Sequence, residues 1–353
     1  MIRFVWRQFR VQFIIALGTL FIVAVVAVVT GPHLAHLYAT NVATCGVLGD
    51  CLSVRSVFLH NDSTIRTWLG ILVIAFPGIV GMFWGAPLVA RELEAGTHRL
   101  VWTQSVTRSR WLATKLGVVG LASVIMAGLL SLVITWWASP LDRATTNIFG
   151  SFDERNIVPI GYAAFAFVLG VTSGVIVRRT VPAMASTLVA FVAVRLSFDR
   201  LVRPHLISPT IHELALKPAS IGFGSANGGP FTLMPITPNI SDAWIYSTQI
   251  LDKANHSLTS HFVAIICPRL IAGVQSGGPS AGSPQVSRVR VPSGSQRAFQ
   301  DCVSRVGGIF HEVVTYQPAS HYWSLQWYET TAYIGAAVIL TSVCFWWVRR
   351  RLS

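Results

Sequence analysis

Histidine–glutamate pairs come closest to a catalytic motif in this chain. The helix of a zinc protease carries two histidines four residues apart, with a glutamate after the first, so that both imidazoles bind one metal ion. His311 is followed four residues later by Thr315, and His212 by Leu216, although each histidine precedes a glutamate. Because each motif lacks its second histidine, the sequence predicts no metal site at either position.

Other catalytic motifs are missing from the sequence as well. It contains no Gly-x-Ser-x-Gly elbow for a serine nucleophile and no P-loop for nucleotide phosphates. His256, His261 and His321 have no partner at a metal-binding spacing, which is typical of solvated surface histidines. No pair of acidic residues lies in a long apolar segment, so a proton-coupled transporter finds little support. The sequence therefore predicts a protein without an enzymatic site of its own.

Charged residues gather instead between two apolar segments. Residues 68–90 and 116–138 carry no charge, and about 20 apolar helical residues cross the roughly 30 Å hydrocarbon core of a bilayer. The connector, residues 91–115, is too short and too charged to cross again, so the two segments form a hairpin. Short arginine-rich loops stay on the cytoplasmic side, which predicts a cytoplasmic connector. Its charged residues are Arg91, Glu92, Glu94, Arg99, Arg108, Arg110 and Lys115.

The connector has two interpretations. In the simpler one, its basic residues only set the topology of the membrane segments. In the other, Gly96 ends one helix and Thr97 caps the next, so that a helical hairpin on the membrane face offers a partner protein a rigid lever. The acidic residues Glu92 and Glu94 beside this turn favour the lever.

The composition supports further membrane segments. The chain of 353 residues is 52% hydrophobic and 12% charged, with a mean hydropathy of +0.57, whereas about 25% of the residues of a soluble domain are charged. The net charge of +13 is spread over the ends of apolar segments, which argues against a nucleic-acid partner. The remaining apolar segments predict spans at residues 11–30, 160–177 and 181–198 and a sixth span within 329–353. The short segments then assigned to the inside are strongly basic, which predicts that both termini are cytoplasmic.

Three features of these spans lead to further predictions. Arg3, Arg7 and Arg10 share one helical face, which predicts an amphipathic helix in the inner interface or a segment that holds the N-terminus inside by charge alone. The Gly81–Gly85 segment favours close packing of helices. Arg195 near the outer end of span five is expected to reach out to the interface, assisted by Asp199.

Residues 199–328 have the composition of a soluble domain and are predicted to lie outside the cytoplasm. Helical spacing after Ser241-Asp242 predicts one helix, and residues 295–305 a second. Residues 311–315 alternate as in a strand. The segment 269–297 is rich in Gly, Ser and Pro, which predicts a mobile loop.

Four cysteines lie in segments predicted to be outside. Cys45 and Cys51 could close a small loop in an oxidising exterior, whereas two thiols without nearby histidines are too few ligands for a metal site. Cys267 and Cys302 flank the Gly-, Ser- and Pro-rich segment, and a disulfide between them would tie its ends together.

Two parts of the chain resemble ABC transporter permeases. The run Ala90-Arg91-Glu92-Leu93-Glu94-Ala95-Gly96-Thr97, with Leu100 and residues 107–116, resembles the first cytoplasmic loop of exporter-type permeases with six spans per subunit. Residues 314–320, 326–329 and 344–351 resemble actinobacterial permeases of this type. The resemblance implies that ATP and Mg²⁺ bind to a separate ATPase subunit. It also implies a coupling role on that subunit for Arg91, Glu92, Glu94, Gly96, Thr97, Arg99, Arg108 and Arg110.

The predicted fold class is therefore an all-α polytopic membrane protein of six transmembrane helices, with a cytoplasmic coupling helix and an α+β extracytoplasmic domain between spans five and six. Two permease subunits, alike or related, would enclose a path between them in the membrane lipid. The apolar and small side chains of the spans favour a lipophilic or amphipathic cargo, and movement of the connector would tilt spans two and three. The alternative is a membrane-anchored protein whose outer domain binds or senses a ligand.

Overall fold

The computed structural model describes residues 2–45, 51–61, 63–96, 107–145, 147–225, 232–236, 238, 240–268, 287–288 and 296–351. The chain forms two compact units, one of Met1–Ser208 with Ser320–Ser353 and the other of Pro209–Ala319. The described α-helices are α1 (Ile2–Leu37), α2 (Cys51–Asn61), α3 (Ser63–Val80), α4 (Ala86–Glu94), α5 (Arg108–Ala144), α6 (Val158–Val177), α7 (Thr180–Ser197), α8 (Arg203–Leu206), α9 (Ser260–Ile266), α10 (Gln296–Gly307) and α11 (Tyr322–Arg351).

The first unit is a bundle of helices, and six helical segments in it are long and apolar enough to cross a membrane. The predicted six-span fold class is confirmed. Each observed segment is longer than the charge-free core predicted from the sequence, because the helices continue into flanking polar residues. The spans are Trp6–Val42, Ser63–Glu94, Arg108–Ala144, Ile148–Val177, Thr180–Leu206 and Ala319–Arg350, here called spans one to six.

The bundle has two ends that differ in sequence. Glu94 contacts Thr180 at one end, and Arg349 contacts Ser109 there; this is called the connector end. The opposite end, called the far end, is where Arg203 contacts Glu329.

The N-terminal segment does not form a separate interfacial helix. Helix α1 is continuous from Ile2 to Leu37 and includes both the predicted amphipathic segment and span one, so the prediction of an independent amphipathic helix is wrong. No glycine or proline precedes Gly18 that could break the helix. Phe9 is 2% exposed and packs edge-on against Trp84 of span two at 4.7 Å, which fixes this first part of α1 to the bundle.

Spans two and four meet through glycines. The π-helical turn Gly81–Gly85 joins α3 to α4 and packs against α6. A Cβ atom added to Gly81 would lie 2.5 Å from the carbonyl oxygen of Ala166, and one added to Gly174 would lie 2.5 Å from that of Ala86. The two backbones therefore touch without room for a methyl group, in agreement with the predicted packing role of the Gly81–Gly85 segment.

The second unit contains two sheets. One has the strand order β1-β6-β4 and the other β3-β2-β5, and all the described pairs are antiparallel. The helices α9 and α10 pack onto a core that includes Ile250, Val303 and Phe310. The strands are β1 (Thr210–Ala215), β2 (Ile221–Ser225), β3 (Thr232–Pro235), β4 (Trp244–Asp252), β5 (Ser287–Arg288) and β6 (Phe310–Gln317).

The structure corrects one element of this unit and supports two others. Residues 244–252, predicted as a helix, form strand β4, because aromatic and β-branched residues such as Trp244, Tyr246 and Ile250 favour a strand. Helix α10 and strand β6 correspond to the predicted helix 295–305 and strand 311–315. Most of the predicted mobile loop, 269–297, lies outside the described residues.

The second unit is shorter than the predicted domain 199–328. Span five continues as helix through the π-helical turn Phe198–Val202 and α8, and α11 already begins at Tyr322. The residues at both borders of the predicted domain are therefore helical and belong to the bundle, which leaves Pro209–Ala319 as the second unit.

Candidate coupling site at the connector end of the bundle

Span two ends at a glycine, as the sequence predicts. Helix α4 finishes at Glu94, Ala95 is its C-terminal cap, and Gly96 has a φ of +67°, in the left-handed region that glycine adopts without strain. The amide of Ala95 donates to the carbonyl oxygen of Arg91 and so satisfies one of the last free acceptors of the helix. The predicted residues Thr97 and Arg99 lie outside the described residues.

Span three begins at a threonine cap. The Oγ1 atom of Thr107 accepts a hydrogen bond from the amide of Arg110 at 3.3 Å, which satisfies a free donor in the first turn of α5. Arg110 is exposed, and Arg108 is half-buried. Arg349 at the end of span six donates from Nε to the hydroxyl of Ser109 at 3.0 Å, so the end of span six also lies at this site.

Glu92 lies inside the bundle. It is 7% exposed, and its Oε1 lies 2.6 Å from the ammonium group of Lys115, which is itself 1% exposed. The same oxygen accepts from Gln8 of α1 at 3.0 Å, and the lysine donates to the carbonyl oxygen of Leu88 at 2.9 Å. Glu92 therefore holds spans one, two and three together, and its charge is directed away from any partner surface.

Glu94 caps a different helix. Its Oε2 accepts from the amide of Thr180 at 2.9 Å and from the hydroxyl of the same residue at 2.7 Å. Thr180 is the first residue of α7, so the carboxylate of span two supplies the acceptor that the start of span five needs. A carboxylate at a helix N-terminus is favoured because the free amides there carry partial positive charge.

The described surface at the connector end is therefore basic. Glu92 is buried, and Glu94 is exposed but accepts both hydrogen bonds from Thr180, whereas many more guanidinium groups at this end are exposed. The exposed arginines include Arg7, Arg10, Arg91, Arg110, Arg178, Arg179, Arg349 and Arg350.

The far end of the bundle holds a second group of charges, centred on Arg203. This residue is 6% exposed, and its Nε and Nη2 atoms both donate to the carboxylate of Glu329 at 2.8 Å, a two-point contact with a side chain that is 1% exposed. Nη1 contacts Asp199, and Nη2 also contacts Asp153. The group therefore joins the ends of spans four, five and six.

Arg195 belongs to the same group, which corrects a prediction. It lies 3.2 Å from Asp153 and places its guanidinium carbon 4.0 Å from the ring centre of Tyr162, and its side chain is 13% exposed. It therefore points into the bundle instead of reaching out to the interface. Asp199, expected to assist Arg195, pairs with Arg203.

Two acidic residues from different spans come together at this end. Asp153 lies within span four and Glu329 within span six, and the hydroxyl of Tyr162 contacts both carboxylates. The sequence placed Asp153 in an outer loop and Glu329 at the start of the segment that contains span six, so both acids lay outside the charge-free cores. Arg203, Asp153 and Glu329 are separated by 50 and 126 residues, so no local spacing links them. The available signal was acidic residues at the ends of several apolar segments.

The geometry of both ends can now be compared with known proteins. A family model described as ABC-2 membrane transporter related matches residues 17–203, which is more than half of the chain. The chain belongs to the ABC-2 membrane transporter related family. None of the curated proteins and none of the solved structures matches the chain.

Family membership agrees with the ABC permease resemblance. The matched residues include the connector and nearly all of spans one to five. A chain of this ABC-2 family is the membrane component of an ABC transporter, a permease subunit, and the family implies association with an ATPase subunit. The family's transport role is not catalytic, which fits a sequence without a P-loop.

The four cysteines of the predicted pairs form two disulfides in this ABC-2 permease. Cys45 and Cys51 have Cα atoms 5.4 Å apart and close a loop after span one. Cys267 and Cys302, with Cα atoms 5.3 Å apart, join α10 to the residue that follows α9. Cys344 in span six is a free, buried thiol 3.1 Å from the hydroxyl of Thr172.

The histidine–glutamate pairs do not form a metal centre in the described part of the permease. No group of three metal-binding side chains is found among the described residues. His311 and Glu213 lie on adjacent strands, with Nε2 and Oε2 4.0 Å apart. The neighbouring Glu312 is only 1% exposed. Burial raises the pKa of Glu312, so its carboxyl group is less readily ionised than a solvated one.

Proposed function

We propose that this ABC-2 permease subunit exports a lipophilic or amphipathic small molecule across the cytoplasmic membrane, driven by ATP and Mg²⁺ on a separate ATPase subunit. The observation that carries the proposal is the construction of the connector end. There span two stops at Gly96, a capped helix begins after Thr107, and most of the exposed charges are arginines. Such an end offers the ATPase a basic surface directly attached to two membrane helices.

The proposed orientation has the connector end and both termini in the cytoplasm. The arginines at this end follow the positive-inside tendency of membrane proteins. The disulfides support the same orientation, because Cys45–Cys51 follows the far end of span one and Cys267–Cys302 lies in the segment between spans five and six. Disulfides persist in oxidising compartments, so both cysteine pairs suit the outside.

The cargo class follows from the surfaces that the spans present. Spans one, five and six expose large apolar side chains over most of their length, among them Phe21, Val189 and Ile339. A second copy of the chain or a related subunit would cover part of these surfaces and enclose a path lined by apolar groups. Such a path favours a cargo that partitions into lipid over a hydrophilic one.

The test is reconstitution of the chain with an ATPase subunit encoded beside it. The two proteins are expected to co-purify, and in inside-out vesicles the complex should accumulate a fluorescent amphipathic probe when Mg²⁺-ATP is added outside. A Walker-lysine variant of the ATPase provides the control without turnover. Accumulation only in right-side-out vesicles would refute export, and failure to bind any ATPase would favour a membrane-anchored binding or sensing protein.

The orientation is tested separately. A thiol-reactive, membrane-impermeant label should reach a cysteine introduced at Arg351 only after the cell is opened. Labelling of that cysteine in intact cells would place the C-terminus outside and refute the proposed orientation.

A further inference from the structure

The last helix of span two, α4, is attached to span five along its whole length. Ala86 and Ala90 of α4 and Ala183 of α7 are each 0% exposed and form one packed cluster. Above them, the two hydrogen bonds from Thr180 to Glu94 close the same seam. A seam of alanines brings two helices close together, because each side chain adds only a methyl group between the backbones.

Span four limits how far this pair of helices can slide. A Cβ atom on Gly174 of α6 would lie 2.5 Å from the carbonyl oxygen of Ala86 and 3.4 Å from the Cβ of Ala90. Helix α4 is therefore held between α6 and α7 with backbone contact on one side and alanine contact on the other. Packed interfaces of this kind transmit displacement, since there is no empty space to absorb it.

The attachment of α4 to span three is of a different kind. It includes the ion pair of Glu92 and Lys115, whose buried lysine side chain bridges the two helices. It also includes apolar packing that places Val89 in one cluster with Trp111 and Leu112. The expectation that connector movement tilts spans two and three omits the contact to span five.

Glu94 occupies the point where this contact meets the connector. Only Ala95 and Gly96 follow it among the described residues of this helix end, and its carboxylate holds the first residue of span five. A force applied to the connector reaches Glu94 before it reaches any other contact between α4 and α7.

We infer that Glu94 is a positioning residue that transmits movement of the connector to span five, through its hydrogen bonds to Thr180. The inference rests on the proposed function, because it assumes that an ATPase subunit moves the connector. In this arrangement Glu94 acts through span five and makes no essential contact with the ATPase.

The first experiment needs no ATPase. Hydrogen–deuterium exchange of the purified full chain in nanodiscs should show faster exchange of the amides of Thr180, Val181 and Ala183 in Glu94→Ala than in the original chain. Thr180→Ser keeps the hydroxyl and the amide donor, so exchange there should be nearly unchanged. Equal exchange in Glu94→Ala and the original chain would show that the cap does not hold span five, and would overturn the inference.

The second experiment uses the complex with its ATPase subunit. Glu94→Ala removes both hydrogen bonds and should lower cargo-stimulated ATP turnover about fivefold or more. Thr180→Val keeps the amide donor and loses only the hydroxyl, so it should lower turnover by less. Both variants should leave the KM for ATP and co-purification unchanged. The double variant should be no worse than Glu94→Ala, because Glu94→Ala already removes both hydrogen bonds to Thr180. Thr180→Ser keeps both hydrogen-bond donors, so its turnover should equal that of the original chain. The matched control is Thr114→Val, since Thr114 lies at the same end but bonds only to Arg110 of its own helix.

The outcomes separate the inference from the function on which it rests. If Glu94→Ala loses ATPase binding, or loses turnover while amide exchange at the start of span five is unchanged, Glu94 contacts the ATPase directly and the inference is wrong. If the original chain binds no ATPase, the proposed function fails, and so does the transmission role, although the exchange experiment would still report the cap.

Discussion

The two ends of the bundle bury charge in different ways. At the connector end, a single carboxylate, Glu92, meets a single ammonium group, Lys115, and the surrounding arginines are exposed. At the far end, Arg203 contacts the carboxylates of Asp153, Asp199 and Glu329, and Arg195 adds a second guanidinium.

This difference indicates which end can change shape. A buried charge that loses its partner is costly, because the remaining group stays in a region of low polarity. At the far end, spans four, five and six share one network of buried charges around Arg203. Separating any two of these spans there would leave a buried charge without its partner. At the connector end most charges already face the solvent, and helices can move there with little change in their surroundings. We therefore expect the far end to act as the fixed point and the connector end to move.

The largest expected effect comes from breaking the far network. Arg203→Leu leaves Glu329 buried without its two-point contact, which should destabilise the fold by about 3–5 kcal/mol. The measurement is thermal unfolding in detergent, compared with Arg200→Leu, an exposed arginine in the preceding turn. Equal melting temperatures for the two variants would contradict the network's role as the fixed point.

Breaking the ion pair of Glu92 and Lys115 should destabilise the fold less, and a second substitution should recover most of the lost stability. Lys115→Met leaves Glu92 in the bundle with Gln8 as a remaining donor, and should cost about 3 kcal/mol. Adding Glu92→Leu should recover most of this loss, because two apolar side chains can replace a buried ion pair. The same detergent melts provide the measurement. A double variant less stable than Lys115→Met would show that Glu92 is stabilised mainly by contacts other than the lysine.

Filling the glycine contact between spans two and four should have the next largest effect on stability. Gly170→Ala places a methyl group against the backbone of Gly81 and Ala86, and overpacking of this kind costs about 1–3 kcal/mol. Gly117→Ala is the matched control, because nothing lies within 4 Å of its added Cβ, and alanine favours a helix by about 0.5–1 kcal/mol over glycine. A neutral Gly170→Ala would mean that this contact has room to slide, and would weaken the argument for transmission along it.

The same comparison shows what the sequence can and cannot predict. Connector features are local: charge-free segments on both sides, Gly96 at the helix end and a run of basic residues. Such features can be predicted from the sequence because helix length, capping and loop charge depend on neighbouring residues. The two disulfides could also be predicted, because the two cysteines of each pair flank one segment of the chain.

The far network escaped prediction because it is built from residues distant in the chain. Arg195 has the position of a side chain that reaches the interface, and only the approach of Asp153 and Tyr162 from span four turns it inward. The cap at the start of span five could not be predicted for the same reason. Glu94 could be assigned to the connector from the sequence, but its partner Thr180 lies 86 residues away. Strand β4 was missed for another reason, because its apolar residues also fit a helical spacing and cross-strand pairing with β6 decided its form.

The smallest effect on stability is expected for the exposed arginines of the connector end. Arg110→Gln keeps the amide that donates to Thr107 and removes only a solvated charge, so the free energy of unfolding should change by less than about 0.5 kcal/mol. Binding of the ATPase subunit should nevertheless weaken, and the loss should shrink as salt is added, because screening already reduces the attraction of exposed charges. Pull-down with the ATPase at low and high salt measures this, with Arg143→Gln on the far part of span three as the control for total charge. A loss of stability as large as that of Lys115→Met would mean that the charges of the connector end are internal, and the contrast between the two ends would disappear.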